Sequence, residues 1–287
     1  MLPEDVRRSV ETALGHRIES ARSLAGGCIA HATRIDTSGG PFFLKWEQGN
    51  GAVLEAEALG LEALAAAGSG LAVPRVVSVR TDEEGLATLI LEWLEPGEAD
   101  PESWSQLGAG LAALHDYSSH RYGFEGDNFI GRLPQMNRWA TDWPTFFLER
   151  RLVPQIDRAR DAGRWEPAWD ASFDRLAQRL RDLLPERPQA SLLHGDLWSG
   201  NVLFTRGGVP AIVDPAVYFG DSDTDLAMTE LFGGLAPRFY DAYRSIRPLA
   251  PGYEERREIY NLYHLINHLN HFGRSYAGAV GRILDRY

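Results

Sequence analysis

The chain has 287 residues, enough for one large domain or two small lobes around a substantial core. Hydrophobic residues make up 44% and charged residues 24%, which excludes extended disorder. Against 40 acidic residues stand 29 basic ones, and the net charge of −11 repels phosphate backbones and argues against nucleic acid as a partner.

Among the basic residues only Lys45 is a lysine; the others are arginines. Codon bias in a GC-rich genome explains the arginines, but not why one lysine survives. Arginine is a planar fork and lysine a compact point charge, so Lys45 marks a place where the compact ammonium is needed. The single cysteine, Cys28, excludes an intrachain disulfide and a Cys-rich metal site. The N-terminus lacks the apolar core of a signal peptide, and no run approaches the ~18 apolar residues of a membrane span. A cytoplasmic protein with no membrane partner, monomeric or weakly dimeric, is expected.

In chain order, β-like runs are expected at 42–46, 76–80 and 86–93, with one strong helix over 53–67. Beyond Glu92 the apolar periodicity turns helical, over 104–115, 143–160, 173–184, 225–232 and 253–272. Strands first and helices later predict an α+β, two-lobed architecture rather than alternating βαβ units. The apolar run ending at Leu94 meets a Pro96-Gly97 breaker. This sets an N-terminal lobe over 1–91, a hinge over 92–97 and a C-terminal lobe over 98–287. On the helix over 53–67, Glu57 falls on the apolar stripe of Leu54, Ala58, Leu61 and Leu64. An inward carboxylate needs a cation, and Lys45 is the available lysine. The alternative has Glu57 at the edge of the stripe, reaching water.

The densest chemistry lies in Leu192-Leu-His194-Gly-Asp196-Leu-Trp-Ser-Gly-Asn201-Val-Leu-Phe204. An apolar run enters a polar loop, a second run leaves it, and a third run over 209–213 delivers Asp214. Asn201 and Asp214 are oxygen ligands at the ends of a β-ribbon, a donor set suited to Mg²⁺ shared with phosphates. Asp196 is left to accept the proton of an attacking hydroxyl. An Asp at a strand end often only caps a turn. The joint pattern His-Gly-Asp-x4-Asn, a β-run and then Asp points to phosphoryl transfer.

With these motifs the chain resembles the small-molecule branch of the protein-kinase-like fold: a small antiparallel β-sheet lobe with one main helix, and a larger, mostly helical lobe. His194-Gly-Asp196…Asn201 is similar to the catalytic loop of aminoglycoside phosphotransferases and choline kinases. The resemblance implies ATP as phosphoryl donor, Lys45 on its α/β-phosphates with Glu57 as helix partner, and adenine bonded by backbone groups of Glu92 and Leu94. It also implies a phosphate loop at Gly26 and Gly27, although Gly26-Gly-Cys28-Ile-Ala departs from GxGxxG. Only ten residues lie between Asp214 and Asp225, too few for a peptide platform, which favours a small substrate.

A narrower resemblance is to the fructosamine (ketosamine) kinases. It rests on Phe42-Phe-Leu-Lys45-Trp, Asn128-Phe-Ile-Gly, Gln135-x-Asn137-x-Trp139, the Trp198-Ser199 pair, Asp214-Pro-Ala-Val-Tyr-x-Gly-Asp221 and Asn267-His-x-Asn-His-Phe-Gly273. This implies ATP-dependent phosphorylation of a ketosamine 3-hydroxyl, which initiates deglycation, with Trp198 near the sugar. His264, His268 and His271 share a helix face with neutral amides, including Asn267. That face reads as a pocket wall for sugar hydroxyls, with His268 the main contact; a structural network and a zinc site are the alternatives. His194 reads as a loop support; Asp221 and Asp225 read as scaffolding rather than further metal ligands, Asp221 supporting the loop and Asp225 opening a helix. An aminoglycoside or choline kinase, or a nucleotide-binding pseudokinase, are the competing functions.

Overall fold

In a computed structural model, residues 2–24 and 31–287 are described; Gly26, Gly27 and Cys28 lie outside them. Strands β1 (Ile18–Ser23), β2 (His31–Thr37), β3 (Gly40–Gln48), β4 (Val76–Thr81) and β5 (Leu86–Glu92) form one antiparallel sheet in the order β1-β2-β3-β5-β4. Helix α1 (Glu4–Leu14) covers one face and α2 (Gly51–Ala66) the other. Strand β5 explains its own unbroken apolar run. Leu86 and Ile90 meet Val6 and Val10 of α1, while Ala87, Leu89 and Leu91 meet Leu54, Ala58 and Leu61 of α2. A strand buried on both faces has no polar alternation to show. Beside the expected main helix, the described residues of this lobe hold a second, α1, which anchors through little more than Val6 and Val10.

The remainder is mostly helical: α3 (Pro101–Asp116), α4 (Trp143–Phe147), α5 (Val153–Asp161), α6 (Asp170–Leu183), α7 (Asp223–Leu231), α8 (Pro237–Ile246), α9 (Tyr253–Phe272) and α10 (Ala277–Leu284). The helix expected over 143–160 is broken into α4, a π-turn at Leu148–Leu152, and α5. Pro154 lacks an N–H and would clash with the preceding turn of a regular helix, and the wider π-turn absorbs it. Short strands complete the fold. β6 (Ser118–Ser119), β9 (Ala190–Leu193) and β12 (Tyr218–Gly220) pair in one sheet, β7 (Asn128–Ile130) with β8 (Leu133–Gln135) form a hairpin, and β10 (Val202–Phe204) with β11 (Pro210–Ile212) form a ribbon.

After Glu92 the chain runs along this ribbon before entering α3. The Gly97 amide donates to the Phe204 carbonyl (2.8 Å) and the Arg206 amide to the Glu95 carbonyl (2.8 Å). A Cβ at position 97 would lie 2.3 Å from the Thr205 carbonyl oxygen, so the crossing requires glycine. Among the described residues, no helix is long and apolar enough to cross a membrane.

Candidate active site

Strand β3 turns Lys45 toward α2, where Glu57 sits between Leu54 and Leu61 on the buried stripe. The Lys45 ammonium donates to both Glu57 oxygens (2.8 and 2.9 Å) and to Asp214 Oδ1 (2.6 Å). Glu57 therefore does not reach out to water. Burial works against the ammonium, but the charges of Glu57 and then Asp214 prevail and hold Lys45 above the ordinary lysine range. Burial likewise pushes Glu57 up, to about 7, with Lys45 opposing and Asp214 adding to the rise. Asp214 has φ of 56°, the one non-glycine residue with positive φ among those described. That conformation costs energy and persists because its surroundings enforce it.

The surroundings start with β9, wholly buried, which delivers His194. Burial lowers the pKa of His194, so the ring is neutral: Nε2–H donates to the Val213 carbonyl (2.9 Å) and Nδ1 accepts from the Asp196 amide (3.3 Å). His194 thus ties the catalytic loop to the residue before Asp214, the supporting role expected of it. Asp225 accepts from the backbone amides of His194 (2.7 Å) and Gly195 (2.9 Å), and His115 Nε2 lies 3.3 Å from it. Burial would raise the Asp225 carboxyl, but the His115 hydrogen bond, its charge and the other donors bring it below the ordinary range. Gly195 has φ of 82°, and a Cβ there would sit 2.0 Å from the Ala216 carbonyl oxygen. The two loops touch where only glycine fits.

Two expectations need correction. Asp225 is the third residue of α7, which starts at Asp223. Asp221 does not reach the loop; its carboxylate accepts from the Asp223 amide (3.1 Å) and the Tyr260 hydroxyl (2.7 Å), holding the start of α7.

Asp196 lies on the cavity floor beside Asn201. The Asn201 Nδ2 donates to the Asp196 carbonyl (2.8 Å) and to its Oδ2 (3.3 Å). Burial, and then the negative charge of Asp214, push Asp196 up to about 7 against that hydrogen bond. The Val213 amide donates to the Asn201 carbonyl (3.1 Å), so Asn201 and Asp214 stand together at the ribbon end. With Nδ2 engaged, Asn201 has Oδ1 to offer a cation, and Asp214 keeps one oxygen beyond that given to Lys45. Two hard oxygen donors beside the ammonium fit Mg²⁺ and would fit a softer metal poorly.

Opposite this charged group stands α9. His264, Asn267 and His268 line the same cavity of about 380 Å³ as Lys45, Asp196 and Trp198. Leu262, Ile266 and Leu269 face the core, as their spacing predicts. Burial, then His268, lowers His264 to about 3, and burial also depresses His268 and His271. The wall is therefore uncharged. Its membership is narrower than the sequence suggests. Asn261 donates to the Ala227 carbonyl (3.0 Å) and Asn270 to Gln155 (2.8 Å), away from the cavity. Asn267 Nδ2 and His271 Nε2 both approach the Ile130 carbonyl, at 3.4 and 3.2 Å. Among the described residues, no group of three His, Cys, Asp or Glu side chains is placed to hold a metal ion.

Ile130 belongs to the hairpin β7–β8, whose role the residue pattern did not disclose. Asn128 Nδ2 donates to the Val217 carbonyl (2.8 Å), and Gln135 Nε2 to the Ala216 carbonyl (3.0 Å) and Asn128 Oδ1 (2.8 Å). Asn137 joins through Asn128 Oδ1 (2.8 Å) and accepts from Arg151 (2.7 Å). Arg151 is fully buried, with its guanidinium 3.8 Å from the centre of the Tyr218 ring. This network holds the segment just after Asp214 from behind. The clue was the run of uncharged amides, Asn128, Gln135 and Asn137, flanking short apolar pieces.

An antiparallel sheet lobe, a helical remainder and this loop pair make up the protein-kinase-like fold, and the matching family makes the chain a phosphotransferase acting on an alcohol group. Within that class the chain belongs to the fructosamine kinase family, whose model matches residues 3–287. It is 43% identical over 283 residues to a probable ketoamine kinase of Synechocystis, covering 97% of this chain and 93% of that one. Identity to an Arabidopsis thaliana chloroplastic protein-ribulosamine 3-kinase is 37% over 275 residues, covering 94% and 83%. A putative fructosamine-3-kinase structure from Thermobifida fusca superposes with a TM-score of 0.86 at 30% identity, over 100% of both chains. An aminoglycoside phosphotransferase in complex with ADP and hygromycin B shares the fold, with a TM-score of 0.69 at 18% identity over 98% of each chain.

Proposed function

We propose that this protein is an ATP-dependent ketosamine kinase that phosphorylates the 3-hydroxyl of a sugar adduct on an amine. One observation carries the reading: a single cavity joins Asp196 to the Lys45–Glu57–Asp214 group on one side and to an uncharged wall of α9 on the other. Charge stands where phosphates require it, and neutral amide and imidazole groups stand where hydroxyls do.

In the proposed reaction the 3-hydroxyl oxygen attacks the γ-phosphorus. The bond to the β-bridging oxygen breaks, ADP leaves with that electron pair, and Asp196 takes the hydroxyl proton. Lys45 holds the α/β-phosphates, positioned by Glu57. Asn201 and Asp214 would hold Mg²⁺, which when bound neutralises phosphate charge. The lobes at 1–91 and 98–287 meet through 92–97. There the Leu94 amide has no protein partner among the described residues and is the proposed donor to adenine, with the Glu92 carbonyl as acceptor. Gly26 and Gly27 are assigned to the phosphate loop on family resemblance. Trp198, Asn267 and His268 contact the sugar. In the product, enolisation toward C1 makes the 3-phosphate a leaving group, and hydrolysis of the resulting imine frees the amine.

The test is ADP release from Mg-ATP with a panel of free ketosamines beside kanamycin and choline. Ketosamine-dependent ADP is the expected result. Its absence from folded protein, or turnover confined to kanamycin or choline, overturns the reading.

A further inference from the structure

A second cavity, of about 550 Å³, adjoins the first and is lined by residues of α7, α9 and α10. A layer of rings stands between them. Phe232 and Tyr276 line the second cavity and lean on His268, with ring centres 4.8 and 5.0 Å away; Phe232 also stands edge-on to Trp198 at 6.3 Å. Trp198 and His268 line the first cavity. The aromatic layer is therefore shared, and a ligand with its sugar against Trp198 and His268 would pass over it.

The polar groups beyond that layer differ in how far they are committed. Glu230 accepts from Arg257 (2.6 Å) and the Tyr253 hydroxyl (2.9 Å), and Glu258 pairs with Arg286. Arg282, by contrast, has no partner among the described residues. Asn261 donates to the Ala227 carbonyl, but its Oδ1 is buried with no hydrogen-bond partner. The cavity thus offers one unspent cation, on the far side of an apolar layer.

We propose that this cavity is the subsite for the amine end of the substrate, and that its occupant is an amino-acid aglycone. This rests on the ketosamine reading above. The methylene stem of a lysine-type adduct lies over Phe232 and Tyr276, and its carboxylate meets Arg282. A polyamine would face an unpaired arginine and carboxylates already engaged. A lysine within a protein brings no neighbouring carboxylate of its own. The chemistry therefore favours free glycated amino acids.

The test uses fructose adducts and the matching ribulose adducts on the side-chain amine of Nα-acetyl-lysine, on that of Nα-acetyl-lysinamide, and on butylamine, with the whole chain and Mg-ATP. The acid is expected to have a KM about fivefold to tenfold below that of the amide, as suits a charge-assisted contact open to solvent. Arg282→Ala should close that gap, and Arg282→Glu should invert it. Equal KM values for acid and amide in the wild type, or a gap that survives both substitutions, overturn the subsite. If no adduct is phosphorylated, the kinase reading itself fails, a result separable from failure of the subsite.

Discussion

The two sides of the central cavity are built on opposite terms. On one, Glu57 and Asp214 are ionisable and both bonded to the Lys45 ammonium within 2.6–2.9 Å. On the other, His264 and His268 have pKa values depressed by burial, and Asn267 is neutral by nature. A buried ionic group holds only if each charge has its partner. An uncharged wall holds if its amides and imidazoles bond backbone, as His268 does to the His264 carbonyl at 2.8 Å. In the function proposed above, this difference separates the phosphate problem from the sugar problem. Asp196 stands between them.

Substitutions that cross this division should have the largest effects. Lys45→Arg keeps the charge but places a fork where a compact ammonium meets three carboxylate oxygens. We expect kcat/KM to fall about 10²–10³-fold with the fold retained, as checked by steady-state kinetics and circular dichroism. Near-normal activity would mean that only the charge matters at this position.

Asp225→Asn should cost about 2–3 kcal/mol in urea unfolding at pH 7, since a carboxylate holding two backbone amides and His115 is lost. The Asp225 carboxyl lies below its ordinary value, so its contribution is present above pH 3.8 and fades as pH falls through the folded value. The stability gap between wild type and variant should therefore narrow below pH 3.8. A gap that widened there would contradict the assignment.

Gln135→Leu tests the network behind the charged side. It removes donors to Ala216 and Asn128 and the acceptor for the Tyr263 hydroxyl. A loss of about tenfold in kcat with a lowered Tm is expected, because the Asp214 segment loses a support. The smallest effect belongs to the neutral side: His268→Ala should raise KM for the ketosamine about fivefold and leave KM for ATP alone. A matching rise in both would place His268 outside the sugar wall.

Much of the charged side was legible in the sequence. Lys45, Glu57, Asp196, Asn201 and Asp214 each interrupt or end an apolar run, and a charge in such a place signals a partner. The neutral side was legible only in part. Helix α9 is buried on more than two faces, so periodicity cannot say which neighbour an amide meets, and Asn261 and Asn270 turn away from the cavity. The hairpin around Ile130 was harder still. Its strands are three residues each, too short to show alternation, and its amides bond backbone far along the chain. Helix α1 escaped notice because few apolar residues anchor it.

The most direct test of the account is Asp196→Asn, assayed for nucleotide binding by calorimetry and for ketosamine-dependent ADP release. The account predicts Mg-ATP binding close to wild type and turnover reduced about 10³-fold. Wild-type-like turnover in this variant would remove Asp196 as the proton acceptor and contradict the mechanism.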